Sequence, residues 1–312
     1  MARIVVVGPG AMGSLLAAYL TKGADEVWLL DKDSQRAKRI AENGIKIEGV
    51  SGNWQAKVKA SSDTSEIGKS DFILICVKAY DTQKVLKSIE NLIGRDSLVV
   101  TLQNGIGNIE VISEAFGSQI VAAATTNMGA TLQDLGLVRH AGLGETVLGR
   151  LDGKITFGLR QLREIFNKVG LVTRISRDIE GLLWSKLIIN VGINALTAIT
   201  GLNNGRLIEY EGTHKIMKDA VTEAVKVAKR KRIKLIFDDP LGKVESVCEA
   251  TSKNVSSMLQ DVLKEKRTEI DFINGVIIRQ AQSLGISTPV NQVLYELVKT
   301  IESSYDKKVK KL

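Results

Sequence analysis

Two cysteines, two histidines and three prolines are few for a chain of 312 residues, and each shortage closes off a class of protein. Cys76 and Cys248 lie far apart and form no C-x-x-C pattern, so neither a disulfide framework nor a cysteine-based zinc site is expected. His140 and His214 are the only imidazoles, and with so few ligand types no metal centre is expected. Scarce proline, with no Ser/Gly-rich or Gln/Asn-rich run, argues against a disordered arm, and no solenoid-length repeat is visible. The chain opens on a strand-like run, RIVVVG, so no signal peptide is read there. The simple expectation is a reduced, cytoplasmic protein.

Aromatic residues make up only 4% of the chain, which bears on its net charge of +8. The basic runs, KVAKRKRIK (Lys226 to Lys234) and the tail DKKVKKL, are not interleaved with aromatics. No helix-turn-helix, zinc-finger or RNA-binding signature accompanies them, so a solvated helix face and a frayed terminus are the readings, with no nucleic-acid partner. One stretch, Leu182 to Leu202, is apolar over the ~20 residues that span a bilayer. Lys186, Asn190 and Asn194 interrupt it and no second span exists, so it reads as a core helix and no membrane association is expected.

What is present is alternation. The runs ARIVVVG, EVWLLD, DFILICVK, DSLVVTLQNG and QIVAAATTN are separated by helix-like segments such as AMGSLLAAYLTKG and YDTQKVLKSIENLIG. Short apolar runs alternating with helices indicate a parallel sheet covered on both faces. The Gly-rich patch GATLQDLGLVRHAGLGETVLGRLDG reads as an antiparallel extension of that sheet, closed by a helix (LRQLREIFNKVG) and a last strand (LVTRIS). Beyond residue 176 the strand signal ends. Helical periodicity is read over Leu182 to Ile199, Thr213 to Lys231, Asp239 to Met258, Thr268 to Leu284 and the final segment from Thr288. The expectation is an α/β Rossmann-type domain over 1–176 and an all-α domain over 177–312. Thr268 and Asp271 fit a capping box, which puts Glu269 at the first position of a helix ending near Gly285.

Gly8-Pro9-Gly10-Ala11-Met12-Gly13 is a G-x-G-x-x-G between a strand and an apolar helix, with Asp31 closing the next strand. In that context the glycines serve a tight turn, close approach of a pyrophosphate and close helix packing, while the helix N-terminus receives the phosphates. Asp31 would accept hydrogen bonds from an adenosine ribose and repel a 2′-phosphate, whereas Lys32 could attract one. Because the acid stands where the Rossmann rule places it, NADH is the preferred cofactor, with NADPH possible. Lys78 and Asn104 end two further strands and would face the nicotinamide half of the crevice.

The stripe Lys186, Asn190, Asn194 repeats every four residues, which on a helix makes a gently winding line about 12 Å long. Its neighbours Leu187, Ile188, Ile189, Val191 and Ile193 are apolar. Three polar groups so placed need partners, either as a structural network or as a site. A buried ammonium can stabilise the oxyanion formed when hydride reaches a ketone, and can donate its proton. The amides can orient a substrate carboxylate and hydroxyl. A partner carboxylate is available in NVSSMLQDVLKEKRTEIDFINGVI, where Ser257 and Glu269 would stand ~18 Å apart on one straight helix but could meet if the helix breaks.

Taken together, GPGAMG, VKAYDT, LQNGIGN, HAGLGETVLG, WSKLIINVGINALTAI, NNG and NVSSMLQD…RTEIDFINGVIIRQA resemble, in that order, the motifs of the ketopantoate reductase (2-dehydropantoate 2-reductase) family. The resemblance implies reduction of 2-dehydropantoate to (R)-pantoate with NAD(P)H, toward pantothenate and coenzyme A, by a cytoplasmic homodimer with a 6-phosphogluconate-dehydrogenase-like helical domain. It makes Lys186 the proton donor and Glu269 the essential acid near ketone and nicotinamide. Asn104, Asn190, Asn194, Asn204, Asn254 and Ser257 then hold the substrate, and Lys78, Asn104 and Ala130 lie on the cofactor side. Many members carry Arg just after the second strand, where this chain has Asp31-Lys32. Two other readings stand beside this one: a relative in the wider β-hydroxyacid dehydrogenase group, and a regulator that binds the dinucleotide without turnover.

Overall fold

A computed structural model of the chain describes residues 2–307; the basic tail beyond Lys307 lies outside the described residues. In chain order the first elements are β1 (Arg3–Val7), α1 (Ala11–Leu20), β2 (Glu26–Leu30), α2 (Ser34–Asn43), β3 (Ile45–Gly49), β4 (Trp54–Ala56), β5 (Lys59–Ser61) and β6 (Ser70–Ile75). They are followed by α3 (Thr82–Ile89), β7 (Ile93–Thr101), α4 (Asn108–Phe116), β8 (Val121–Thr126), β9 (Gly129–Asp134), β10 (Leu137–Gly142), β11 (Thr146–Gly149), α5 (Phe157–Lys168) and β12 (Thr173–Ile175). Only helices come after: α6 (Ile179–Thr200), α7 (Glu211–Arg230), α8 (Pro240–Ala250), α9 (Ser257–Leu263), α10 (Asn274–Ser283) and α11 (Pro289–Ser303). Two compact units result. Unit 1 is residues 1–103 with 108–179, and unit 2 is 180–312 together with the short segment Asn104–Gly107.

Unit 1 is built on an eight-stranded sheet in the order β12-β11-β8-β7-β6-β1-β2-β5. From β5 to β8 all neighbours are parallel, with β1 flanked by β2 and β6. That order reverses at β1, which creates a crevice at the carboxyl ends of β1 and β6. The apolar runs of the sequence are these strands: Ile4 to Val6 and Ile73 to Ile75 are fully buried, as strands covered on both faces must be.

The Gly-rich patch departs from the sequence expectation. β11 does extend the main sheet antiparallel to β8, but β9 and β10 form a hairpin in a separate four-stranded sheet, β4-β3-β10-β9. β10 pairs in parallel with β3. A Cβ on Gly49, which has φ +108°, would lie 2.3 Å from the His140 carbonyl oxygen, so the close approach there requires glycine. Alternation in IKIEG puts Ile45 and Ile47 into the core and the charges outside. This small sheet and the main one both pack on α1, and the helix is therefore buried on every side from Gly13 to Leu20.

Unit 2 is helical and centred on α6. This helix is long and apolar enough to cross a membrane by length and composition, but 72% of its apolar window is buried inside the structure. Leu187, Ile188, Val191 and Ala195 pack with Met217, Ala220, Val221 and Val244 of α7 and α8. Gly192 permits that approach, since a Cβ there would meet Val244 Cγ1 at 2.8 Å and Val221 Cγ2 at 3.0 Å. Glu223 of α7 accepts from the backbone N–H groups of Val290 and Asn291, so a carboxylate from another helix caps α11 where the dipole favours negative charge.

Two helical expectations change. The stretch from Asp239 to Met258 is two helices: Asp239 caps α8, with Pro240 in its first turn, and the chain breaks after Ala250 before Ser256 caps α9. Thr268 caps no α-helix either. Its hydroxyl accepts from Ile270 N at 3.2 Å, and Glu269 precedes a single 3-10 turn, Ile270–Phe272. Ile273, at φ −110° and ψ −89°, separates that turn from α10. The predicted break between Ser257 and Glu269 is present, and it spans everything between α9 and α10.

Candidate active site

The glycine turn of unit 1 is shaped by what lies beneath it. Gly8 has φ +104°, and a Cβ there would stand 2.7 Å from Val77 Cγ1; one on Gly13 would lie 2.0 Å from the Gly8 oxygen. The fold itself demands glycine at both. Gly10 differs: its φ is an ordinary −71°, and a Cβ would come no nearer to the protein than 4.0 Å, from Cys76 O. No described residue requires glycine there, so the free space suits a ligand that approaches the backbone. Pro9 is buried beside it, and Ala11 and Met12 open the ten-residue α1, whose first-turn N–H groups are the phosphate donors of such a turn.

Asp31 is 4% exposed, and this desolvation raises its pKa above the usual carboxylate range. Oδ1 accepts from Asp33 N at 3.2 Å. Oδ2 is buried and forms no hydrogen bond among the described residues, although Arg36 Nε stands 3.1 Å away, poorly aligned for one. An orphaned acceptor at this strand end fits a ribose hydroxyl, so the residues present suit an adenine dinucleotide. Sequence reasoning did not single out Arg36, because it comes one helical turn into α2; only folding returns it to Asp31. Lys32 is mostly exposed, with Nζ 3.9 Å from Asp81 Oδ2. Lys78 is half-buried and begins the 3-10 turn Ala79–Asp81 after β6. Ala130 lies in β9, opposite His140 of β10.

In unit 2, Lys186, Asn190 and Asn194 lie along α6 as the four-residue spacing requires. Desolvation pulls the Lys186 pKa down to about 8, and the Glu269 carboxylate opposes that shift. Glu269 is itself 5% exposed, and Asn104 Nδ2 donates to its Oε2 at 3.4 Å. Asn104 arrives on the segment that packs with unit 2; a Cβ on Gly105 would sit 2.3 Å from the Phe272 oxygen, so the glycine lets the two backbones touch. A cation, an acid and an amide from three distant parts of the sequence thus share one spot. Asn190 is half-buried and Asn194 buried, and their side-chain amides bond no other protein group among the described residues.

The remaining predicted residues gather farther along. Asn204 is 8% exposed and takes the Asn254 carbonyl oxygen on its backbone N–H at 3.1 Å. Its Nδ2 donates to Thr251 Oγ1 at 2.9 Å, while Oδ1 is buried without a partner among the described residues. Asn254 is exposed, and so is Ser257 in the first turn of α9. The sequence did not reveal that Ser256, one residue earlier, ties this segment to α6: its Oγ lies 2.6 Å from Thr197 Oγ1 and also caps α9. A Ser-Ser pair before an apolar run signals a cap, but not which serine makes it.

Neither histidine joins these groups. His140 is buried in β10, with Nδ1 3.0 Å from Ser51 Oγ and 3.3 Å from Tyr19 Oη. His214 forms a half-exposed pair with Glu245, Nε2 to Oε1 2.5 Å, between α7 and α8.

Known proteins share this sequence pattern and architecture. The family profile "Ketopantoate reductase PanE/ApbA" matches residues 4–153, and its C-terminal counterpart matches residues 178–302. The chain belongs to the ketopantoate reductase family. A curated 2-dehydropantoate 2-reductase of Pyrococcus horikoshii is 36% identical over 303 residues, 96% of this chain and 98% of the relative. Among solved structures, a PanE/ApbA family ketopantoate reductase from Ralstonia eutropha superposes with a TM-score of 0.90 at 35% identity, covering 98% of this chain and all of the other. A D-mandelate dehydrogenase with NADH and anilino(oxo)acetate reaches 0.92 at 30% identity, with the same coverage.

Proposed function

We propose that the chain is an NAD(P)H-dependent 2-dehydropantoate 2-reductase, and that Lys186 is its proton donor. The observation that carries this reading is the pairing of a desolvated Lys186 of α6 with the buried Glu269 carboxylate, beside two asparagine amides of α6 that bond no other protein group among the described residues. When bound, a nicotinamide dinucleotide would supply the hydride that the ketone carbon takes up. As the carbonyl π pair moves onto oxygen, the Lys186 ammonium stabilises the growing charge and gives up one proton, so ketone, hydride and proton make the secondary alcohol. With a pKa of about 8, most Lys186 is protonated at neutral pH yet is acidic enough to donate.

Asn190 and Asn194 orient the substrate carboxylate and hydroxyl, joined by Asn204, Asn254 and Ser257. Asn104 holds Glu269, and Glu269 keeps Lys186 charged. Gly8 to Gly13 take the pyrophosphate, Asp31 takes the adenosine ribose and favours NADH, Lys78 faces the nicotinamide half, and Ala130 lies on the cofactor side. Residues 1–176 then serve as the dinucleotide domain and 177–312 as the substrate and dimerisation domain of a cytoplasmic homodimer. The test is a steady-state assay of purified protein with 2-dehydropantoate and either NADH or NADPH. Turnover that is lost by orders of magnitude in Lys186→Ala at unchanged fold supports the assignment, and full activity in that variant removes it.

A second reading has one observation in its favour. The likeness to D-mandelate dehydrogenase at 30% identity is a likeness to a protein named for a different 2-hydroxy acid. A substrate panel of 2-oxo acids decides between them: preference for an aryl 2-oxo acid over 2-dehydropantoate by tenfold or more in kcat/KM would establish the alternative.

A further inference from the structure

The parallel ladder between β6 and β7 ends at Ile75 and Thr101, with a last backbone bond from Leu102 N to Ile75 O. Past that point the β6–β7 ladder has no further paired residues among those described, and this is where the β6 end must support the glycine turn. One side chain takes over. Gln103 is 8% exposed; its Nε2 donates to Val77 O at 2.9 Å and to Thr82 Oγ1 at 2.8 Å, and its Oε1 accepts from Thr101 Oγ1 at 3.0 Å. Both amide hydrogens are used, and the opposite amide orientation would set oxygen against the Val77 carbonyl, so the network fixes the side chain. Thr82 passes the connection on by donating to Ala79 O at 2.7 Å.

The clamped peptides are those that matter for a dinucleotide. Val77 is the residue on which Gly8 rests, since a Cβ on Gly8 would meet Val77 Cγ1 at 2.7 Å and Val77 N at 2.9 Å. Lys78 lies between the two held carbonyls, Val77 directly and Ala79 through Thr82. A displaced Val77 would tilt the glycine turn and shift the Lys78 backbone together. Both displacements move groups meant for the cofactor, and a sub-ångström change in such a cradle is costly because its geometry is built in advance.

We propose that Gln103 is a positioning residue for the dinucleotide: its amide clamps Val77 and, through Thr82, Ala79, so that cofactor affinity depends on its two N–H donors. This rests on the reading above only in taking the ligand to be a nicotinamide dinucleotide. Gln103→Met keeps the length and removes every side-chain hydrogen bond. Gln103→Glu keeps the shape but, when ionised, donates nothing to Val77 and sets negative charge beside its carbonyl; when protonated it regains one donor.

The experiment is a fluorescence titration of NADH into the full-length protein without substrate, with thermal melts on the same samples. Gln103→Met should weaken NADH binding at least tenfold. Gln103→Glu should weaken it at least as much at pH 8 and recover threefold or more at pH 6, while the wild type changes less than twofold between those pH values. KM for 2-dehydropantoate should stay within threefold. Lowered melting temperatures with NADH affinity within twofold of wild type would show a purely structural amide and overturn the proposal. If the Gln103 variants do not fold, Thr82→Val cuts the Ala79 arm, together with the 3.2 Å contact of Thr82 Oγ1 with Asn108 Oδ1, and leaves the Val77 arm in place: it should weaken NADH at least threefold, and unchanged binding overturns the clamp. Wild-type protein that binds NADH yet does not reduce 2-dehydropantoate overturns the function reading alone and leaves this test intact.

Discussion

The pairing of Lys186 with Glu269 gives a pH dependence whose position, as well as whose existence, can be checked. With Lys186 pulled down to about 8, kcat/KM for ketone reduction should be nearly flat below pH 7 and fall by about tenfold per unit above about pH 9. The protonated fraction is about 0.9 at pH 7 and about 0.1 at pH 9, so the two rates should differ by about tenfold. Burial is the larger influence on that pKa and Glu269 the opposing one. Glu269→Gln removes the opposition and leaves the burial, so the limb must move to lower pH. An opposite charge at close range is worth about one to three units, which places the limb at about pH 7 or below and leaves at most half of Lys186 protonated at pH 7.

The assay is the initial rate of NADH oxidation at limiting 2-dehydropantoate from pH 6 to pH 10, in wild type and Glu269→Gln, fitted for the position of the limb rather than its height. Height alone would be ambiguous, because Glu269 also accepts from Asn104. A wild-type profile flat to pH 9.5 refutes Lys186 as the titrating donor, and a Glu269→Gln limb that stays near 8 or rises refutes the coupling. The same shift has a consequence for stability. A lysine whose folded pKa lies below its unfolded value of 10.5 binds fewer protons folded than unfolded, so stability rises with pH between about 8 and 10.5. Keeping that ammonium charged below pH 8 costs up to about 3 kcal/mol.

Other outcomes follow from the same geometry. Asn194→Ala should raise KM for 2-dehydropantoate about tenfold or more while leaving NADH affinity within twofold, since a lost buried hydrogen bond costs about 1–3 kcal/mol; equal effects on both ligands in steady-state kinetics and NADH titration would place Asn194 elsewhere. Arg36→Ala should weaken NADPH at least tenfold and NADH little, because Arg36 is the guanidinium beside Asp31, and Asp31→Asn should improve NADPH; titrations showing parallel changes for both cofactors would contradict this. His140, whose pKa is lowered by desolvation, supplies stability that is complete above its unfolded pKa of 6.5 and is lost as pH falls through the folded value. Thermal melts of His140→Gln should therefore lose less between pH 7 and pH 5 than wild type, and identical losses would exclude His140 as the cause.

Local pattern alone made much of this protein legible. The five apolar runs became the central strands because a strand buried on both faces must be apolar throughout. The glycine fingerprint and Asp31 were readable because turn geometry and strand ends are properties of neighbouring residues. The line from Lys186 to Asn194 follows from helical spacing, and the ordered motifs were enough for the family. What needed three dimensions was every relation between distant segments. Glycines in Gly129 to Gly149 signal strands and turns but cannot say which partner a strand will take, so the second sheet stayed hidden until β3 and β10 met. The break after Ala250 and the isolated turn after Glu269 depend on where other elements offer partners, such as Asn204 for the Asn254 carbonyl. Arg36 against Asp31, Ser256 against Thr197 and Gln103 under the glycine turn are likewise contacts of folding. Composition and periodicity determine which face a residue occupies, while the pKa of Lys186 depends on desolvation and on a carboxylate 83 residues away in the chain. Only the packed structure brings these to bear on one nitrogen.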